Sequence, residues 1–265
     1  MPTLLDFRRR IRSVKSSQQI TRAMKFVAAA RLRRAQEAAL AARPYAKELA
    51  RLLRSIMGRI VEPQHPLLEK REERNILAIL LSGERGLAGA FNTNILRKAT
   101  EFFRANSGKK IVTIPVGKKG RDSLKKAGFE FAGEYVNVLA RVEFKTAREI
   151  ANLALEKLLP IEKIEDEDAK DEKERASDAQ VDYIYEQPPE QILSKLLPKY
   201  IETQVLRAML ESSASEYAAR MTAMESATKN AGDVIEALTL HMNKVRQAAI
   251  TKEIIEIVSG AAYGA

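Results

Sequence analysis

Cysteine and tryptophan are both missing from the 265-residue chain, and His65 and His241 are its only histidines. Without cysteine there is no disulfide, no thiol nucleophile and no thiolate-held metal. Two histidines exclude a histidine-rich metal site and leave no plausible Ser-His-Asp set. Neither G-x-S-x-G nor H-E-x-x-H occurs, so those hydrolase signatures are absent too. No apolar run approaches the ~20 residues that cross a bilayer. The start, MPTLLDFRRR, has no apolar core of a secretory signal. Its arginines mimic an organelle transit peptide, but the hydrophobic repeat already begins at Leu4, which marks these residues as structural. The expectation is a soluble chain of a reducing compartment, bacterial in type.

Charge is plentiful but uneven. The chain carries a net +10, and residues 1–59 hold fifteen Lys/Arg against three Asp/Glu, so that segment alone is +12. A basic field confined to one segment implies an acidic partner: nucleic acid, anionic lipid or acidic protein loops.

From Thr3 to Arg43 there is neither glycine nor proline, and only Pro44 intervenes before Gly58. Steps of three and four run through Leu4, Phe7, Ile11, Val14, Gln18, Thr21, Lys25, Ala28, Leu32, Ala35, Ala39, Ala42, Ala46, Leu49, Leu53, Ile56 and Ile60. That spacing is a coiled-coil seam, polar only at Gln18, Thr21 and Lys25. The other end answers it with Leu210, Ala214, Tyr217, Met221, Met224, Thr228, Ala231, Ile235, Leu238, Met242, Val245 and Ala249. Beyond Ala249 the apolar face slips to Ile250, Ile254 and Ile257, as drift between periods of 3.5 and 3.6 allows. At ~1.5 Å per residue each helix spans roughly 80–90 Å, whereas a globule of this chain length is about 50 Å across. Two such stripes pair most simply with each other, antiparallel. The alternative is two shorter amphipathic helices folded onto a core, broken at Pro44 and Gly232.

The middle of the chain alternates. Ile76–Leu81 is a continuous apolar run typical of a buried parallel strand. The Gly-rich turn Ser82–Gly89 follows, then a helix near Asn92–Ala105, a strand at Lys110–Pro115, helices at Arg121–Ala127 and Val142–Leu159, and a strand at Val181–Tyr185. Strand–helix alternation predicts a small α/β sheet. Glycines at 83, 86 and 89 do not make G-x-G-x-x-G, and no G-x-x-x-x-G-K-[ST] exists, so a tight turn is favoured over a phosphate site. Arg85 remains a possible isolated anion contact. Glu162–Asp178 is a run of charge read as a solvated loop or a frayed helix end.

Local sequences narrow this further. Ile20–Ala30 (ITRAMKFVAAA) with Arg31–Ala35 (RLRRA), Ser82–Asn92 (SGERGLAGAFN), Glu211–Glu216, Ala218–Met224, Asn230–Gly232, Asn243–Thr251 and Glu256–Ala261 occur in that order. Together they resemble the signature stretches of ATP synthase gamma subunits of bacterial type, with Glu84 standing where the family usually has Asp. The acidic tract at 162–178 departs from the family pattern and reads as a local insertion. With no cysteine, thiol regulation of the chloroplast kind is excluded.

The resemblance implies a long antiparallel coiled coil of N- and C-terminal helices with an inserted Rossmann-like α/β domain. The expected boundaries are 1–60 and 199–265 for the coiled coil and 73–198 for the inserted domain. It implies a rotor shaft without catalytic residues, cofactor or metal, which couples proton flow to ATP synthesis and regulates ATPase activity. Partners would be the alpha/beta hexamer, the epsilon subunit and the membrane rotor c-ring, at the cytoplasmic face of the bacterial membrane and held there only through the complex. Arg246, Gln247 and Thr251 match the motif that contacts loops of the surrounding subunits; their bland alternative is a solvated helix face. Arg8, Arg9, Arg10, Arg12, Lys15, Arg31, Arg33 and Arg34 form a basic surface for acidic beta-subunit loops. Around Met24 and Lys25 the seam turns polar, so a locally weak helix–helix contact is expected there. Three rivals stay open on the residues alone: a basic coiled-coil nucleic-acid binder, which lacks any aromatic stacking platform; a nucleotide-dependent enzyme; and a membrane-surface tether.

Overall fold

A computed structural model describes residues 3–58, 65, 67–68, 74–157 and 189–263, with only the backbone at 189–190 and 260–263. Its elements are α1 (Leu4–Met57), β1 (Asn75–Leu81), α2 (Phe91–Ala105), β2 (Lys110–Val116), α3 (Lys118–Lys126), β3 (Glu130–Phe131), α4 (Phe144–Lys157) and α5 (Pro189–Tyr263). Backbone contacts group these into two units, Met1–Ala30 with Arg220–Ala265, and Arg31–Ala219. The predicted strand at 181–185 and the charged tract at 162–178 lie outside the described residues.

The first unit is a helical pair. Thr3 starts α1 through a reciprocal cap: its hydroxyl accepts the Asp6 N–H at 3.3 Å, while Asp6 Oδ2 accepts the Thr3 hydroxyl at 2.7 Å and N–H at 2.9 Å. Those bonds from Thr3, with Arg9 and Arg10 nearby, hold the Asp6 carboxyl below its ordinary pKa. The pairing is antiparallel, because partners descend along α5 as they rise along α1. Phe7 stacks at 4.9 Å on His241, Thr21 meets Thr228, and Lys25 meets Glu225.

Burial follows the repeat closely. Every predicted seam position of α1 from Leu4 to Ile56 is buried or half-buried, and from Leu4 to Arg43 only Met24 and Ala29 join them. Every predicted seam position of α5 from Leu210 to Ala249 is likewise shielded. The alternative of two broken helices is not what forms. Both α1 and α5 are continuous, α1 through Pro44 and α5 through Pro198 and Gly232. Ile250, Ile254 and Ile257 differ from expectation, being 48%, 55% and 72% exposed. Their apolar face has not slipped onto α1. With Phe7 opposite His241, α1 has already begun, so no helix among the described residues lies opposite these residues.

The second unit carries the sheet. β1, β2 and β3 are parallel in that order, with Asn75 opposite Lys110 through Leu81 opposite Val116, and Thr113 opposite Phe131. Ile114 and Val116 of β2 pack with Ala147, Ile150 and Ala151 of α4 and Val205 and Met209 of α5. A second cluster joins Leu53 and Ile56 of α1 to Leu193 and Leu197 of α5. Here too a rising number on α1 meets a falling one on α5. α3 begins at Lys118, three residues before the sequence suggested, and β3, two residues long, is too short to leave a periodic signal.

Gly117 ends β2 at φ +108°, and a Cβ there would stand 2.0 Å from the Ser82 carbonyl oxygen. Both the backbone angle and the space demand glycine. Gly117→Ala is therefore expected to lower the urea midpoint by the equivalent of roughly 2 kcal/mol or more. Gly108→Ala, which meets nothing within 4 Å, is expected to stay near the parent.

Candidate functional site

Two places concentrate the residues singled out by sequence: the outer faces of the helical pair and the turn after β1. In the first unit, Arg8, Arg9, Arg10, Arg12 and Lys15 are all exposed on α1. Apart from the field of Arg9 and Arg10 on Asp6, none of the five faces an acidic partner among the described residues. Arg246, Gln247 and Thr251 are exposed on α5, where the Thr251 hydroxyl donates to the Gln247 carbonyl at 2.9 Å. That bond belongs to the helix itself and leaves the Gln247 amide outward.

Met24 and Lys25 sit differently. Both are half-buried, and the Lys25 ammonium lies 2.6 Å from Glu225 Oε1. Its charge is engaged by the chain's own opposite helix. Beside it Thr21 and Thr228 join hydroxyls at 2.8 Å and Gln18 Nε2 donates to the Thr228 carbonyl at 3.3 Å. The expected slack contact is thus bridged by polar bonds. Sequence reasoning missed Glu225, because its role follows only from the register of two helices whose repeats are each sevenfold.

In the second unit, Arg31, Arg33 and Arg34 are exposed. The Arg31 guanidinium lies 5.8 Å from the Tyr217 ring centroid, within cation–π reach. Arg33 pairs with Glu37 one turn along at 3.0 Å, a contact worth little at such exposure. The candidate partner contacts therefore spread over both units.

The turn after β1 is built from its own donors and acceptors. Ser82 N–H donates to Val116 O at 2.8 Å and Gly83 N–H to Asn92 Oδ1 at 2.8 Å. At the start of α3, Lys118 N–H donates to Glu84 Oε2 at 3.1 Å, Lys119 N–H to Gly83 O at 3.1 Å, and Gly120 N–H to Ser82 Oγ at 2.7 Å. A phosphate would need such N–H groups free. Here those five are given to the protein itself. Glu84 also accepts the Val138 N–H through Oε1 at 3.2 Å, so one carboxylate ties the turn to α3 and to the loop before α4. The bonds from the Lys118, Lys119 and Gly120 N–H groups explain why α3 starts early: its orphan donors are satisfied from outside. Arg85 and Leu87 are left on the surface, Leu87 63% exposed with φ +63°. A non-glycine residue in that conformation carries strain and clusters at contact sites; nothing in the sequence marked Leu87 beyond its Gly-rich setting.

Against known proteins, the family described as ATP synthase matches residues 3–158 and 152–262. The chain is 46% identical to the ATP synthase gamma chain of Solibacter usitatus and 43% identical to that of Pelotomaculum thermopropionicum, with 99% of each chain covered. Among solved structures it is similar to a chain of the Euglena gracilis mitochondrial ATP synthase (OSCP/F1/c-ring, rotational state 3) with TM-score 0.64, 18% identity and coverage of 98% and 93%. A chain of the Tetrahymena thermophila mitochondrial ATP synthase central stalk/c-ring gives TM-score 0.56 at 22% identity, covering 78% of this chain and 99% of that one.

Replacing Glu84 by alanine leaves two backbone N–H groups without their carboxylate, an expected loss of about 1–3 kcal/mol. Thermal unfolding of Glu84→Ala should fall by several degrees, whereas Arg85→Ala should remain within about 0.5 kcal/mol of the parent.

Proposed function

The chain belongs to the ATP synthase gamma-chain family, and from that membership we propose how its residues serve the central stalk. It is a non-catalytic subunit: ATP is made on the alpha/beta hexamer, and this chain couples that chemistry to rotation of the membrane ring. The first unit turns inside the hexamer, and the sheet of the second meets the c-ring and the epsilon subunit. The single observation that carries this is how the helical pair distributes its surfaces. Its seam closes on itself, its flanks expose arginines, and its C-terminal tip exposes apolar side chains.

Each surface fits one kind of contact. Ile250, Ile254, Ile255, Ile257 and Val258 are all 48% or more exposed within nine residues. An exposed aliphatic group of this size marks a contact site, with Lys252, Glu253 and Glu256 interspersed in the same stretch. Arg246, Gln247 and Thr251, just before it, contact loops of the surrounding subunits. Arg8, Arg9, Arg12, Arg31, Arg33 and Arg34, with Arg85 on the turn, face acidic loops of beta subunits. Solvent-exposed pairs are worth only ~0–1 kcal/mol each, so they steer a sliding contact without locking it. Met24 and Lys25 act at the same level by holding the helical pair together rather than by touching a partner first.

The location follows from the assembly. No helix of the described residues is long and apolar enough to cross a membrane. The relatives at 46% and 43% identity are bacterial chains. On this reading the chain is a peripheral subunit at the cytoplasmic face of the bacterial membrane, attached through the complex.

Reassembly from separately purified subunits tests the reading. The unsubstituted chain should bind the alpha/beta hexamer and restore ATP-driven proton pumping to depleted membranes. Failure to bind would remove the proposed role. A variant with Arg8, Arg9, Arg12, Arg31, Arg33 and Arg34 changed to glutamine should still assemble, but with several-fold weaker pumping per ATP and a flatter dependence on salt. Unchanged coupling and salt dependence would remove the electrostatic guide.

A further inference from the structure

We propose that Gln18, Thr21 and Lys25 of α1, with Glu225 and Thr228 of α5, form a polar lock. It fixes the axial register of the two chain ends and stops them sliding along each other. The purpose assigned to the lock, keeping the stalk from shearing under torque, rests on the function proposed above; its existence does not.

The apolar seam supplies cohesion without direction. Its positions recur every seven residues on both helices, so a slide of one repeat returns apolar layers to apolar layers. The polar layer is where the two registers differ in hydrogen bonding. In the observed one, the Thr21 hydroxyl reaches the Thr228 hydroxyl at 2.8 Å, and Thr228 passes its own proton to the Met224 carbonyl at 2.7 Å. After a slide of one repeat, Met221 or Ile235 would stand where Thr228 stood. Thr21 would then face a side chain with no hydrogen-bonding atom but a thioether. A half-buried polar group facing an apolar layer disfavours the slipped state more than its bond favours the correct one. Single polar seam positions specify register in coiled coils by this route.

Two further features belong to the same layer. Gly232 lies in the interior of α5, where glycine is unfavourable. A Cβ there would stand 3.2 Å from Gln18 Nε2, so its absence leaves room for the amide that reaches the Thr228 carbonyl. The Lys25–Glu225 pair, 2.6 Å apart, closes one flank of the layer. Its side chains are 33% and 58% exposed, so the attraction is modest. Its sign is the useful part, since a slipped register separates the two charges and a like-charged pair is repelled. These five are positioning residues: they set where the rest of the helical pair stands.

The absence of cysteine gives a clean background for the test. Ser13→Cys and Glu236→Cys, both exposed on their helices, carry nitroxide labels on the full chain, and pulsed dipolar spectroscopy reads the distance between them. The parent should give one narrow distance. Thr21→Val with Thr228→Val preserves shape but removes both hydroxyls. It should add a second population set apart by a slide of one repeat, about 10 Å along the axis. Lys25→Glu should broaden the distribution, and Lys25→Glu with Glu225→Lys should restore the single distance. One narrow distance in both the valine variant and Lys25→Glu overturns the lock, and so does a charge swap that fails to restore it. If the distances behave as expected but the parent chain does not bind the hexamer, the stalk reading falls and the lock stands. If the chain binds and couples while the distances never move, the lock falls alone.

Discussion

Closure of one apolar seam between residues at opposite ends of the chain is the constraint on which the remaining structure depends. Neither α1 nor α5 has another element to cover its stripe in the first unit, so each exists as a long helix because the other does. Most helical stability in proteins comes from such tertiary burial rather than from propensity. This explains how α5 tolerates Gly232 without breaking. It also explains the division of surfaces. A seam that faces inward on both helices leaves arginine-rich flanks outward and frees α5 beyond Ala249 to expose isoleucines to a different partner.

The sheet obeys a different logic of contacts. Its Gly-rich turn has the outline of a nucleotide site, a parallel strand running through glycines into a helix. The difference lies in where its donors go. Ser82, Gly83, Lys118, Lys119 and Gly120 all give their N–H groups to the protein itself. Glu84 replaces an external anion by an internal carboxylate. A turn built in this way ties β1 to α3 and to the loop before α4 and so stiffens the base. The buried Ile114, Val116, Ile150 and Met209 then hold that base against α4 and α5.

Much of the fold was legible because seam spacing is a physical necessity of helix pairing. The steps of three and four from Leu4 to Ile56 coincide with shielded residues throughout. Where the sequence misled, it did so for want of register. Periodicity states that two helices pair but leaves their alignment open by multiples of seven, so Glu225 opposite Lys25 and the uncovered Ile254 and Ile257 were not readable. Short or locally capped elements escaped for another reason: β3 has two residues, and the start of α3 is set by Glu84, which is distant in sequence. For the candidate contacts, exposure of Arg8, Arg9, Arg12 and Arg246 followed from their place off the seam. Partner identity did not, and entered through family resemblance.

Rotation itself is the most direct test of the account. With the alpha/beta hexamer fixed to a surface and a bead attached through Gly108→Cys in the turn before β2, addition of ATP should turn the bead steadily in one direction. Hydrolysis at an undiminished rate with the bead at rest would contradict the role assigned to this chain.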